Sequence, residues 1–169
     1  PYEIHYILNK TASDLGPKGY DLQYGHGLVN PVAALRFNPK NVPPIPSAAE
    51  QDVLKKAKRL HMTRATTLTG TITQLGETDW YALPVQKGEY VQVKVNGAAD
   101  YDYKFDILFF QNGQSSASTR LSVNDTVQGK EEGYLFTAPE EGTVVIGVKD
   151  ALGNYNENGA SKYTLFVSR

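Results

Sequence analysis

Residues 91–95 read Val-Gln-Val-Lys-Val, and this alternation of apolar and polar side chains decides the fold. Successive side chains of a β-strand point to opposite faces of its sheet, so the three valines share one face. The same period of two returns at residues 144–148 and 163–167. Each of these stretches predicts a strand with one buried and one exposed face.

Five further stretches are rich in β-branched and aromatic residues and are separated by Gly, Asn or Pro turn signals. They are residues 67–74, 79–85, 103–111, 121–123 and 133–138. About eight strands without intervening helices predict a mainly β fold, an antiparallel β-sandwich or jelly roll. The stretch 103–111 is partly apolar on both faces, which predicts an interior strand. The expected core includes Trp80, Val91, Val93, Val95, Ile107, Phe109, Phe136, Val144, Ile146, Leu165 and Val167.

Helices are predicted ahead of the strands. Apolar residues recur at helical spacing from Ile4 to Leu15, and Asn30-Pro31 has the residue types that open a second, short helix. Four prolines between residues 39 and 46 predict an extended linker, where we place the domain boundary. The spacing of Ser47 and Glu50 is that of a capping box, which predicts a helix to about His61. The predicted organisation is helices over 1–37, a Pro-rich linker with a helix over 38–65, and the sandwich over 66–169.

Composition excludes several classes of protein. Lys plus Arg (17) and Asp plus Glu (18) nearly balance, so a nucleic-acid partner is not expected. No apolar run is long enough for a transmembrane helix, and the absence of Cys removes disulfides, thiolate metal sites and Cys nucleophiles. The chain begins at Pro1 without a Met or a leader, so we expect a processed product or a fragment.

Four short motifs mark the N-terminal region: PYEI at 1–4, TA at 11–12, DLG at 14–16 and YGHGLVN at 24–30. In this order they resemble the C-terminal end of the catalytic domain of subtilisin-like (subtilase) serine peptidases, over about residues 1–37. The resemblance implies a parent serine endopeptidase whose nucleophile motif, G-T-S-M-A-x-P, would come before this segment. That motif is absent from this sequence, so we expect that the chain itself is not an enzyme. We expect His5, His26 and His61 to be structural.

A second set of motifs is similar to bacterial pre-peptidase C-terminal domains, the β-sandwiches appended to secreted proteases. It comprises LTGTI at 68–72, TDWY at 78–81, KGEYV at 87–91, FDIL at 105–108, YLFTA at 134–138 and YTLFV at 163–167. The resemblance implies a secreted bacterial protein whose partners are its own catalytic domain and, as an alternative, protein or cell-wall substrate. No membrane partner is expected. The accessory domain would stabilise or help mature the protease, or bind its substrate.

Two oxygen-rich clusters are candidates for a calcium site. Calcium takes six to eight oxygen ligands, and clustered carboxylates repel one another without a cation. Asp100, Asp102 and Asp106 form the first cluster, and Asp150 with Asn154, Asn156 and Glu157 forms the second. Neither has EF-hand spacing, and Asx-rich loops are also ordinary turn chemistry. The alternative function is therefore a calcium-dependent protein- or cell-wall-binding module.

Aromatic residues offer another binding hypothesis, because Tyr and Trp combine a large apolar area with a polar tip. If they lay exposed on one sheet, they would form a face for an extended peptide or polysaccharide. Strand alternation predicts instead that some of them point into the sandwich. The residues concerned are Trp80 and the tyrosines at 81, 90, 101, 103, 134, 155 and 163.

Overall fold

The structure, a computed structural model, describes residues 2–21, 23–42, 50–126, 128–156 and 159–169. Within them the chain is mainly β, which confirms the predicted fold class. The strands are β1 (Lys58–Arg59), β2 (Ala65–Thr71), β3 (Asp79–Val85), β4 (Tyr90–Gly97), β5 (Tyr103–Gln111), β6 (Thr119–Val123), β7 (Glu132–Thr137), β8 (Gly142–Asp150) and β9 (Lys162–Ser168).

The strands form two facing sheets. A five-stranded sheet has the order β1-β3-β8-β5-β6, and a four-stranded sheet has the order β2-β9-β4-β7. All pairings are antiparallel except that of β1 with β3, which is parallel. Strand β5 lies between β8 and β6, as its two-sided apolar pattern predicts. The result is an antiparallel β-sandwich.

The main core lies between the two sheets. Val91, Val93 and Val95 are completely buried there, and so are Ile107 and Ile146 of the facing sheet. The alternating polar residues of β4 remain half-buried or exposed. Buried and accessible residues therefore alternate along the strands of both sheets, because each sheet must cover its apolar face with the other sheet.

The prediction that Trp80 belongs to the core between the sheets is wrong. It is half-buried and packs against a second cluster on the outer face of the five-stranded sheet, together with Ala82 and Val145. Strand β3 is apolar on both faces, and Tyr81 and Leu83 are the residues that it turns toward the other sheet. The indole ring lies against Gly147, where a Cβ atom would collide with it.

Three α-helices precede or border the sandwich: α1 (Tyr2–Thr11), α2 (Pro31–Arg36) and α3 (Glu50–Lys56). The side chain of Asn30 caps α2 by accepting a 3.0 Å hydrogen bond from the Ala33 amide. Residues 39–41 form a 3-10 turn. No helix among the described residues is long and apolar enough to cross a membrane.

The third helix is shorter than predicted. It ends at Lys56, and residues 58–59 form β1 instead of continuing to His61. The Leu60 amide donates a 2.8 Å hydrogen bond to the Ala82 carbonyl, so pairing with β3 replaces helical hydrogen bonds. Residues 43–49, which include three of the four linker prolines and Ser47 of the predicted capping box, lie outside the described residues.

Residues 2–37, here called the N-terminal segment, have a different character. Tyr6 of α1 contacts Phe37, the residue that follows α2, and their ring centroids are 6.1 Å apart. Ser13 and Leu28 exchange backbone hydrogen bonds of 2.8 and 2.9 Å. Gly27 is required beside this bridge, because it has φ +102° and a side chain would meet the Ser13 carbonyl. None of the fully buried hydrophobic residues described comes before Val53.

Candidate functional site

The three aspartates of the first predicted cluster make separate contacts. Asp106 lies within β5 and forms a salt bridge with Lys149 of the neighbouring β8. Asp102 immediately precedes β5, and burial followed by the nearby charge of Glu132 raises the pKa of its carboxyl. The carbonyl of Asp100 accepts a 2.6 Å hydrogen bond from the Gln128 side chain.

The second cluster is organised around Asp150, which is buried at the end of β8. Its carboxylate accepts hydrogen bonds from the amides of Asp102 (2.9 Å), Leu152 (2.9 Å) and Asn154 (2.8 Å). Burial raises the pKa of Asp150, although these three bonds oppose the rise. Asp150 therefore fixes the loop backbone. Glu157 lies outside the described residues.

The described carboxylates of Asp106 and Asp150 are engaged within the chain. The oxygens of Asp150 already accept hydrogen bonds from main-chain amides, and a lysine neutralises Asp106. Within the described part of the chain, no group of three His, Asp or Glu side chains comes together as metal ligands. Calcium, predicted at Asp100, Asp102, Asp106, Asp150 and Asn154, finds no support in the geometry.

A continuous row of tyrosine rings, here called the tyrosine row, joins the N-terminal segment to the sandwich core. The centroids of Tyr20 and Tyr101 are 5.7 Å apart, and those of Tyr101 and Tyr103 are 5.8 Å apart. Tyr103 lies 5.6 Å from Tyr163. These separations are within the range of favourable aromatic pairs. The row therefore connects residues that are far apart in sequence through direct ring contacts.

The inner end of the row is a buried hydrogen-bond network. The Tyr163 hydroxyl donates to the Asp79 carboxylate at 2.5 Å and lies 2.6 Å from the Tyr81 hydroxyl. Burial raises the pKa of Tyr163, and its bonds to Asp79 and Tyr81 raise it further. Burial also raises the pKa of Asp79. Because the tyrosines stay protonated, the network holds them in place and supplies no nucleophile.

The outer end of the row is the contact between the N-terminal segment and the sandwich. The His26 ring lies between Tyr20, at 5.1 Å, and Tyr155, at 5.3 Å. Burial lowers the pKa of His26, and the neighbouring His5 lowers it further. Gly19 lies so close to Asn156 that a Cβ atom would collide with that side chain. His26, one of the three histidines that we expect to be structural, packs between aromatic rings at this junction.

The aromatic residues do not form a common binding face. Tyr81, Tyr101, Tyr103, Tyr155 and Tyr163 are buried. Tyr90 is exposed on the four-stranded sheet, whereas Trp80 lies on the outer face of the other sheet. An aromatic surface along one sheet, which the binding hypothesis required, is not present among the described residues.

Sequence reasoning missed Glu132, which is almost completely buried in β7. Its carboxylate accepts hydrogen bonds from the amides of Asp125 (2.9 Å) and Thr126 (2.8 Å). Burial opposes its charge, but hydrogen bonds from Thr126 and Asp125 lower its pKa overall. Glu132 thus holds the turn before β7. The available signal for such an acceptor was the Asn-Asp-Thr sequence at 124–126, because turn amides that do not pair with a strand need another hydrogen-bond acceptor.

Large apolar side chains are exposed mainly in the N-terminal segment. Of the twelve described ones, eight lie between residues 4 and 35, and Leu35 (88% exposed) is the most accessible. The eight are Ile4, Leu8, Leu15, Tyr24, Leu28, Val29, Val32 and Leu35. A soluble domain rarely leaves so many apolar side chains uncovered within one short region.

Comparisons with known proteins give structural neighbours only. No protein-family model and no curated protein matches the chain. A periplasmic inhibitor of g-type lysozyme, PliG from Aeromonas hydrophila, is 19% identical with a TM-score of 0.42, covering 67% of this chain and 95% of its own. The pre-peptidase C-terminal domain of a collagenase from Bacillus anthracis is 16% identical with a TM-score of 0.42, covering 66% and 92%.

A third neighbour is CorA, a surface-associated copper-binding protein of Methylomicrobium album BG8. It is 10% identical with a TM-score of 0.43 and covers 66% of this chain and 96% of its own. At such identities the similarity concerns the fold and not the function.

Proposed function

We propose that the chain is the C-terminal, non-catalytic portion of a secreted bacterial subtilisin-like serine endopeptidase. The β-sandwich is its accessory domain, and the N-terminal segment is the end of the catalytic domain. The motifs at 1–4, 11–12, 14–16 and 24–30 support this parentage. The accessory domain stabilises the protease by holding its last helices.

One observation carries the proposal: the N-terminal segment has two contrasting sides. Tyr20 and His26 pack on Tyr101 and Tyr155 of the sandwich. Elsewhere the segment exposes the cluster of apolar side chains that includes Leu35. A segment that is fixed to one domain and apolar toward solvent is suited to joining that domain to another.

The chain supplies no catalytic machinery in this proposal. Nucleophilic hydrolysis needs a nucleophile, a base and oxyanion donors in mutual reach. His26 packs between tyrosine rings, and burial keeps the Tyr163 hydroxyl protonated. We therefore expect the purified chain to hydrolyse neither casein nor chromogenic peptide esters.

The decisive experiment uses the coding sequence ahead of Pro1. A serine motif of the G-T-S-M-A type encoded shortly before residue 1 would support the parentage, and its absence would contradict it. In the joined protein, Leu35→Asp should shorten the half-life of protease activity because a charge replaces buried apolar surface. Leu135→Asp is the matched control, because Leu135 is 57% exposed but belongs to strand β7 of the sandwich, away from the junction. Equal half-lives for the two variants would contradict the proposed coupling.

A further inference from the structure

Strand β2 is an edge strand whose outer side pairs with no described strand. It hydrogen-bonds to β9 alone, in the register that places Leu68 opposite Leu165. In this register Ile72 donates to the Ser161 carbonyl, and Arg169 donates to the Arg64 carbonyl. Even-numbered residues therefore direct their amides and carbonyls toward β9. Thr67, Thr69 and Thr71 direct theirs away from the sheet, by the alternation of antiparallel pairing.

This edge lacks the features that normally prevent further pairing. Natural edge strands are short, charged, bulged or interrupted by proline. The other three edges each contain charge: β1 is Lys58–Arg59, β6 contains Arg120 and β7 contains Glu132. The seven residues of β2, Ala-Thr-Thr-Leu-Thr-Gly-Thr, include neither a charge nor a proline. In the five-stranded sheet the edge of β3 is already covered by a short strand, since β1 pairs with it.

A depression adjoins β2 on each side of the sheet. The outer one, of about 530 Å³, is lined by Thr69, Thr71, Asn96, Lys162 and Thr164. The other, of about 650 Å³, lies at the mouth between the two sheets, and its lining includes Lys56, Lys58, Glu77 and Asp79. Alternate side chains of an added strand point to opposite faces, so each depression would receive one set.

The charge of the outer depression favours an acidic partner. At the mouth, Glu77 accepts hydrogen bonds from the Thr73 and Gln74 amides, and Asp79 accepts one from Tyr163. These donors are uncharged, so both carboxylates offset the charges of Lys56 and Lys58 at the mouth. In the outer depression Lys162 is the one charged residue of the lining, and it forms no salt bridge with a described residue.

We propose that the free edge of β2 binds an extended polypeptide with acidic side chains by strand addition. Backbone hydrogen bonds from residues 67, 69 and 71 supply affinity, and Lys162 selects acidic side chains on the outer face. A second copy of β2 fits less well, because its Thr and Gly side chains would leave both depressions unfilled. This proposal concerns the sandwich and does not depend on the parentage proposed above.

The test uses the peptide acetyl-TEVEVET-amide with the full chain, and acetyl-TKVKVKT-amide as the control. We expect the acidic peptide to bind with a dissociation constant below about 1 mM and the basic one to bind at least about tenfold more weakly. Amide exchange followed by NMR should show that Thr67, Thr69 and Thr71 exchange rapidly in the free protein and become protected when the acidic peptide binds. Equal binding of both peptides, or protection elsewhere, would overturn the proposal.

Two variants separate strand addition from surface attraction. Thr69→Pro removes an amide that points away from the ladder, which an edge strand tolerates, and should weaken binding at least about tenfold. Leu135→Pro is the matched control and should leave binding unchanged. The Leu135 amide points away from β4, on the free side of the opposite edge strand β7. Lys162→Glu tests the charge if the proline variant does not fold, and should also weaken binding. Unchanged binding by Thr69→Pro or Lys162→Glu, or a dimer of the free chain that Thr69→Pro dissociates, would refute the proposal.

Discussion

The N-terminal segment and the sandwich bury their apolar residues in different ways. Each sheet of the sandwich covers the other, so Val91 and Ile146 are completely buried within this chain. In the N-terminal segment Tyr6 packs against that core, but Leu28 (65% exposed) and Leu35 stay accessible to water. Because helices gain most of their stability from packing of an apolar face, the segment depends on its neighbours. The sandwich has the contacts needed for independent stability.

Hydrogen exchange should show the largest difference between the two regions. The Ser13 and Leu28 amides are hydrogen-bonded to each other's carbonyls, so a missing bond does not explain fast exchange. We expect them to be protected about a thousandfold less than Val91 and Ile146, a difference of about 4 kcal/mol in opening free energy. Exchange measured by NMR on the monomeric chain gives the comparison. Equal protection would show that the segment and the sandwich open together.

Replacing Ile146 with Ala tests the independent core. The side chain is completely buried between the sheets, so its truncation leaves a cavity and should lower the free energy of unfolding by about 2 to 5 kcal/mol. Lys94→Ala is the control on the exposed face, where the 2.8 Å salt bridge to Glu131 is worth less than about 1 kcal/mol. Urea unfolding of both variants measures the difference. Similar losses would contradict the register.

Asp150→Asn tests the loop that supports the junction. The carboxylate accepts three main-chain hydrogen bonds, and the amide group of Asn directs N–H atoms at some of these donors. We expect a loss of about 1 to 3 kcal/mol in unfolding free energy, independent of added calcium. Urea unfolding with and without calcium or a chelator measures both effects. Stabilisation of the native protein by calcium would restore the metal-site hypothesis.

Acidification should weaken the junction before it affects the sandwich. The pKa of His26 is lowered by burial and by His5, while Asp14 acts in the opposite direction. Because the folded protein disfavours the protonated imidazole, His26 contributes stability at pH values above its pKa in the unfolded chain, 6.5. This stability is lost as the pH falls through the lower pKa of His26 in the folded protein. The change is at most about 1.4 kcal/mol per pH unit.

Near-ultraviolet circular dichroism and amide exchange at the junction measure this effect. His26→Gln should remove most of the pH dependence between pH values of about 7 and 5. His61→Gln is the control, because it removes an exposed histidine outside the junction. If both variants kept the dependence of the native protein, His26 would not be responsible.

The alternation of apolar and polar residues predicted the sandwich well, because it shows within a single strand which face must be buried. The predicted stretches 79–85 and 103–111 coincide with β3 and β5. Trp80 was misplaced because β3 is apolar on both faces, so either register satisfies the pattern. Strand β1 was missed because its pairing depends on the distant Ala82 carbonyl.

The junction was harder to predict, since its contacts join residues far apart in sequence. Composition shows eleven tyrosines but not which of them touch. The stacking of Tyr20 on Tyr101 and the capture of three amides by Asp150 depend on how the loops fold. The pairing of Asp106 with Lys149 could not be predicted for the same reason, because proximity in sequence does not show which charges meet across strands.

The separation of Trp80 from the tyrosine row gives the molecule two independent optical reporters. The chain has a single tryptophan, and it lies on the outer face of the five-stranded sheet against Gly147. Its fluorescence therefore reports that surface and the helix beside it. The stacked tyrosines would give a coupled dichroism signal that depends on the contact between Tyr20 and Tyr101. Detachment of the N-terminal segment should change the tyrosine signal and leave the tryptophan emission as it was, so the two events can be followed without a label.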